Sequence, residues 1–196
     1  SLLGCNPIDD PANAQLNPDV GAYTPDAEVA SDLEPVQPPS ASVRISTFNV
    51  RKFFDTRCDT RNCSGNSFEY EYPEGEFQAK AQQVANGIRL LDSDVVLLQE
   101  LESSESMAAL MMYLEQEDYP VQVLGETGSQ ASLDVAVVGQ GIVLEQHSHY
   151  DRQLMRASGG TTTFSREFLE LHIEIEGRRV IVFNAHFKAK TRDDPE

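Results

Sequence analysis

Three short stretches place chemistry-bearing side chains at the ends of apolar runs. They are Thr47-Phe48-Asn49-Val50, Leu97-Leu98-Gln99-Glu100 and Phe183-Asn184-Ala185-His186-Phe187-Lys188. Polar groups emerging where buried strands end are what an active site on a sheet scaffold needs. Glu100 is a hard oxygen ligand suited to Mg²⁺ or Mn²⁺, with Ca²⁺ as a further option. Asn49 can orient a water, a ligand or a phosphate oxygen. His186 can donate to an oxygen that gains charge in a transition state, and Lys188 adds a cation beside it. Taken singly, each has an ordinary structural explanation: a polar strand end, a turn former, a sheet histidine, a solvated lysine.

The elements that must position these groups follow from periodicity. Residues 43–49 alternate, with Val43, Ile45 and Thr47 on one face and Arg44, Ser46 and Phe48 on the other, which predicts a strand. Residues 50–75 are polar and contain Gly65, Pro73 and Gly75, so they read as a long loop. Phe77, Ala81, Val84, Ile88 and Leu91 recur at helical spacing. The run 94–100 is continuously apolar until it ends in charge, as in a strand buried on both faces. Ser103 and Ser104 are candidate caps for a helix carrying Met107, Leu110, Met111 and Leu114. Further strands are predicted over 121–124, 133–138 and 142–145. A hairpin is predicted from 168–175 and 179–187, closed by a tight turn at Glu176-Gly177. Strand, helix, strand, helix and then several strands make a mixed α/β domain.

In that order and spacing, the motifs resemble the endonuclease/exonuclease/phosphatase family of metal-dependent phosphodiesterases. That family includes deoxyribonucleases, abasic-site endonucleases, sphingomyelinases and inositol polyphosphate 5-phosphatases. Residues 44–50, followed by Phe53-Phe54-Asp55, look like its first strand motif, and residues 94–100 look like its metal-ligand motif. Ser165-Arg166-Glu167-Phe168-Leu169 and residues 182–188 look like the paired strands leading to its active-site histidine. The resemblance runs from about Val43 to the end. It implies a four-layer α/β/β/α sandwich of mixed, largely antiparallel sheets. It also implies a divalent metal on Glu100 with Asn49 beside it, and His186 on the scissile phosphate of a substrate attacked in line by water. Asn184 and Lys188 would support the pocket, and Arg166 would reach the phosphate or pair with a neighbouring acid. The family's Gly-Asp-(aromatic)-Asn and terminal Ser-Asp-His segments do not occur in this sequence. The expectation is an N-terminal part of the domain, lacking C-terminal strands and inactive alone, from an active parent. The alternative is a non-catalytic surface module that keeps the fold.

Charge and composition bound the partners. The net charge is −17, and the first 42 residues hold seven acids and no Lys or Arg. Such a surface repels duplex DNA at long range, which argues against a sequence-reading nucleic-acid binder. It leaves room for an enzyme acting on a phosphoester, whether nucleic acid, phospholipid or sugar phosphate; no obligate protein partner is evident. Leu2-Leu3-Gly4-Cys5 resembles a bacterial lipobox. It predicts an exported protein whose lipidated Cys5 is its sole link to a membrane. Residues 6–42 are rich in Pro, Asp, Ala and Asn and read as a disordered tether, followed by the domain at 43–196. Export would put Cys58 and Cys63 in an oxidising space, where their spacing suits a disulfide-closed loop. His147 and His149 are read as part of a polar loop, Asp134 as a strand start and Lys80 as solvated.

Overall fold

The computed structural model describes residues 42–115, 117–129 and 132–187. Cys5, residues 6–41 of the expected tether, and Lys188 lie outside the described residues. The order is β1 (Ile45–Phe53), α1 (Glu74–Leu91), β2 (Val95–Leu101), α2 (Ser104–Tyr113), β3 (Val121–Gly125), β4 (Asp134–Gly139) and β5 (Ile142–Ser148). A short hairpin of β6 (Leu154–Met155) and β7 (Thr161–Thr162) precedes β8 (Phe168–Ile175) and β9 (Arg178–Ala185).

The first sheet has the order β1-β2-β4-β3, with β1 parallel to β2 and the other pairs antiparallel. The second is the antiparallel sheet β5-β8-β9. Two cores explain the layering. Val96, Leu98 and Leu101 of β2 and Ala136 and Val138 of β4 pack with Ala81, Val84 and Ile88 of α1 and Leu110 of α2. The intervening residues Val95, Val135 and Val137 face the other way, onto Leu169, Leu171, Ile173 and Val182 of the second sheet. Alternation along doubly covered strands sends successive side chains into different cores, so β2 and β4 read as unbroken apolar runs.

The described residues thus form three layers, α/β/β, of the expected four-layer mixed sandwich. Ile181 and Phe183 of β9 remain half exposed on the outer face of the second sheet, as does Phe187 just beyond it.

Local chemistry sets the element ends. Asp92, in the left-handed region at φ 48°, ends α1 and returns its N–H to Arg89 O at 3.2 Å. Ser103 is the N-cap of α2, its side chain accepting from Ser106 N–H at 3.3 Å, whereas Ser104 is the first helical residue. Glu176 and Gly177 both have positive φ, as a two-residue turn between twisted strands requires. Gly87 lets α1 lie on β1: a Cβ there would stand 2.9 Å from Phe48 Cε1.

Two features differ from the sequence reading. β1 continues through Phe53 instead of giving way to loop at residue 50. Arg51 and Lys52 take positive φ there, forming an irregularity that shifts the β1–β2 register between Asn49 and Phe53. The hairpin β6-β7 is too short to leave a periodic signal.

Candidate active site

The site grows from this irregularity. β1 and β2 run parallel with Asn49 opposite Gln99, and the register then slips on both sides of β2 around Glu100. Glu100 itself has φ 68°, an uncommon conformation for a residue with a Cβ. Left-handed backbone at such a position costs free energy that the surrounding structure must offset, and it is concentrated at functional sites. Here the neighbours hold the carboxylate by both oxygens. Asn49 Nδ2 donates to Glu100 Oε1 at 3.0 Å, and the Lys52 N–H donates to Oε2 at 2.8 Å. Asn49 Oδ1 in turn accepts from the Arg51 N–H at 2.8 Å. The positive φ values of Arg51 and Lys52 are what bring their amides to these acceptors. Lys52 is therefore a site residue through its backbone, which no side-chain motif announces.

The second sheet supplies the remaining groups. His186 follows β9, and its Nε2 lies 3.5 Å from Glu100 Oε1. Its Nδ1 is 2.6 Å from Arg166 Nη1. A guanidinium only donates, so Nδ1 must accept and the ring proton of the neutral imidazole sits on Nε2, facing Glu100. Burial, with the Arg166 charge, lowers the His186 pKa against the opposing pull of Glu100, which favours that neutral form. For Glu100, burial pushes the pKa up. The Asn49 and Lys52 hydrogen bonds and the nearby His186 and Arg166 outweigh it, and the carboxyl sits below the usual glutamate value. An ionised, half-buried carboxylate beside an amide is a donor set that fits a Mg²⁺-type cation, which takes one or two carboxylates and keeps waters for the rest.

Asn184, expected to support the pocket, sits in the interior. It is 2 % exposed and lies between the sheets. Its Nδ2 donates to Leu98 O and Ala136 O, both at 2.9 Å, and its Oδ1 accepts from Gln99 Nε2 at 2.8 Å. Every polar atom of the amide is hydrogen-bonded, so Asn184 ties the strands together. Gln99, unremarked in the sequence beyond its motif, extends this link to Thr47 Oγ1 at 3.0 Å.

Two other expectations change, for Lys80 and His147, and the expected disulfide is present. Lys80 is half buried and not simply solvated: burial and Arg51 lower its pKa, with Glu100 opposing them. His147 belongs to β5 and pairs with Glu145 at 3.2 Å; His149, just after it, meets Glu170 at 2.7 Å. Cys58 and Cys63 form a disulfide, with an S–S distance of 2.00 Å.

No family model and no curated protein sequence matches the chain. Solved structures do. A β-hairpin deletion mutant of beta toxin from Staphylococcus aureus is 19 % identical with a TM-score of 0.51, over 77 % of this chain and 53 % of that one. SmcL is 20 % identical with a TM-score of 0.50, over 79 % of this chain and 51 % of its own. The fold is the α/β sandwich that these proteins have. Another beta toxin structure, a F277A, P278A mutant with bound magnesium ions, matches at 19 % identity and a TM-score of 0.50, over 78 % of this chain and 51 % of that one. At such identities the likeness is one of fold, and the chain spans about half the length of each of these proteins.

Proposed function

We propose that this chain carries the metal- and phosphate-contacting part of a divalent-metal-dependent phosphoester hydrolase. The observation that carries the reading is one unbroken run of polar contacts, Asn49–Glu100–His186–Arg166, joining side chains from two different sheets. Glu100, with Asn49 beside it, would hold Mg²⁺, with Mn²⁺ or Ca²⁺ as substitutes. The ion would supply positive charge to a phosphoryl group and its leaving oxygen.

The chain's own residues do the rest. The Lys52 N–H and Asn49 keep the Glu100 carboxylate ionised and aimed. His186 donates its Nε2 proton as a hydrogen bond to a phosphate oxygen. Arg166 fixes the tautomer that makes this donation possible and adds a cation at the phosphate. Lys188 would contribute a second cation there. Among the described residues, Glu100 belongs to no group of three convergent His, Cys, Asp or Glu ligands. Holding the metal through one carboxylate and water, with no described residue set to deprotonate the attacking water, the chain alone is expected to turn over slowly or not at all.

The substrate shares the phosphoester group. The acidic surface favours a small or lipid-borne phosphoester over a long polyanion. An acyl group on Cys5, followed by the tether, would hold the domain at a bacterial membrane on the exported side. Replacing Cys5 with Ser would then release the protein to the soluble fraction and abolish labelling by a fatty-acid analogue.

The deciding experiment assays the gene product with DNA, RNA, sphingomyelin and a chromogenic phosphodiester, in Mg²⁺, Mn²⁺ or EDTA, beside Glu100→Gln. Hydrolysis that survives both EDTA and Glu100→Gln would refute the reading. Retention of metal binding without hydrolysis of any phosphoester would favour a binding module that kept the fold.

A further inference from the structure

A second cluster of oxygen ligands lies beyond the far end of the β1 irregularity, in residues the hydrolytic reading does not use. Glu69 and Glu102 are 2 % and 3 % exposed, while Asp59 beside them faces solvent. One carboxylate oxygen from each lies within 4.8 Å of those of the other two. No ion pair among the described residues reaches Glu69 or Glu102; Arg57, largely exposed, pairs instead with Glu105 and, at 3.8 Å, with Asp55. Buried carboxylates without a counter-charge are strongly disfavoured.

The hydrogen bonding sharpens the point. Glu102 Oε2 accepts from the Asp55 N–H at 2.7 Å, but Oε1 is fully buried and has no partner. Such an orphan acceptor on a side chain that completes a carboxylate triangle calls for a bound group. Glu69 is preset by the N–H groups of Asp59 and Thr60, at 2.6 and 2.9 Å, and by the Thr60 hydroxyl. Glu69 Oε1, which accepts only from Asp59, keeps a further lone pair. The Cys58–Cys63 disulfide closes the turn that presents Asp59.

We propose that Asp59, Glu69 and Glu102 bind a Ca²⁺ ion that ties the loop after β1 to the end of β2. Three carboxylates converging irregularly, with water completing the shell through the exposed Asp59 side, suit the flexible all-oxygen coordination of calcium better than the strict octahedron of magnesium. The ion is structural and reacts with nothing. Its anchor points are close to the catalytic carboxylate in sequence, since Glu102 is two residues from Glu100. Lys52, whose N–H holds Glu100, also donates from Nζ to Phe68 O at 3.2 Å, next to Glu69.

The test uses the chain stripped with chelator and titrated with Ca²⁺ calorimetrically, in physiological salt with excess Mg²⁺, with thermal unfolding followed in parallel. Wild type and Glu100→Gln are expected to bind one saturable Ca²⁺ and to gain several degrees in Tm. Asp59→Asn, a solvent-facing change that leaves the core intact, should weaken binding at least ~10-fold and lose most of the Tm gain, as should Glu69→Gln. Equal Ca²⁺ affinity in wild type and Asp59→Asn would overturn the proposal. So would loss of Ca²⁺ binding in Glu100→Gln, which would place the ion at the catalytic carboxylate, or no saturable binding in wild type.

Discussion

Glu100 is the side chain on which a metal-dependent reaction would turn, and its contacts separate charge from shape. Replacing it with Gln keeps the volume and one acceptor but removes the negative charge that Asn49, Lys52 and His186 surround. We expect Mg²⁺ affinity to fall at least ~10-fold and phosphodiester hydrolysis by the gene product to fall ~100-fold or more, with Tm nearly unchanged. Magnesium titration and steady-state kinetics check this. Arg166 acts through its neighbour and on the phosphate. Arg166→Met removes the donor that holds His186 Nδ1 and keeps most of the stem. A drop in kcat of ~10- to 100-fold is expected, the range typical of losing one preorganised donor or its orienting partner. Substitution of the partly exposed Tyr119, which lies apart from this run of contacts, serves as the comparison.

At the scale of elements, the parallel pairing of β1 with β2 and the two cores flanking β2 decide where these groups meet. Leu98 is fully buried between β2 and the helices, whereas Leu90 on α1 is 85 % exposed. Leu98→Ala should cost about 2–5 kcal/mol and Leu90→Ala under about 0.5 kcal/mol, read from denaturant unfolding. Gly87→Ala sets two effects against each other. Helix propensity favours Ala by about 1 kcal/mol, but its Cβ would meet the Phe48 ring at 2.9 Å. That ring is packed against the first core, so the clash is expected to win and the variant to unfold earlier. Most of this architecture was legible in sequence, because α1 and β8 carry a period of side-chain burial and β2 and β4 are unbroken apolar runs. The turn at Glu176-Gly177 and the cap at Ser103 were legible because they depend on residue type. The bend at Arg51 and Lys52 was not: neither residue advertises positive φ, and their conformation is held by acceptors on Asn49 and Glu100, Glu100 lying on another strand. The partners of Asn184 were not legible for a related reason. A buried amide joining two sheets and an amide lining a pocket look alike until the partners from Leu98, Gln99 and Ala136 are in place.

The whole molecule carries 32 acidic residues against 15 Lys and Arg, so its stability must respond to pH, and two buried carboxyls, Asp134 and Glu102, sharpen the response. Asp134, at the start of β4, is 1 % exposed. Burial raises its pKa to about 7; the adjoining Glu126 adds to the rise, and the Ser132 and Thr127 hydroxyls oppose it. In the unfolded chain the same carboxyl titrates near its ordinary value of about 4. Between these two values the folded state holds a proton that the unfolded state has released, so stability falls as pH rises through this window. Below it both states are protonated, above it both are ionised, and the full penalty of a buried anion remains. Wild-type Tm should therefore decline by several degrees from about pH 5 to about pH 8. Glu102, whose pKa burial raises to about 8, and general self-repulsion of the acidic surface add declines of their own, and the contrast with Asp134→Asn isolates Asp134. Asn keeps an acceptor for Ser132 Oγ, which now donates to Asp134 at 2.6 Å, and offers Glu126 a donor that never ionises. That variant should lose less Tm over the same range than wild type. Parallel declines in the two proteins would mean that Asp134 is ionised throughout in the folded state and that Glu102 and the acidic surface carry the effect.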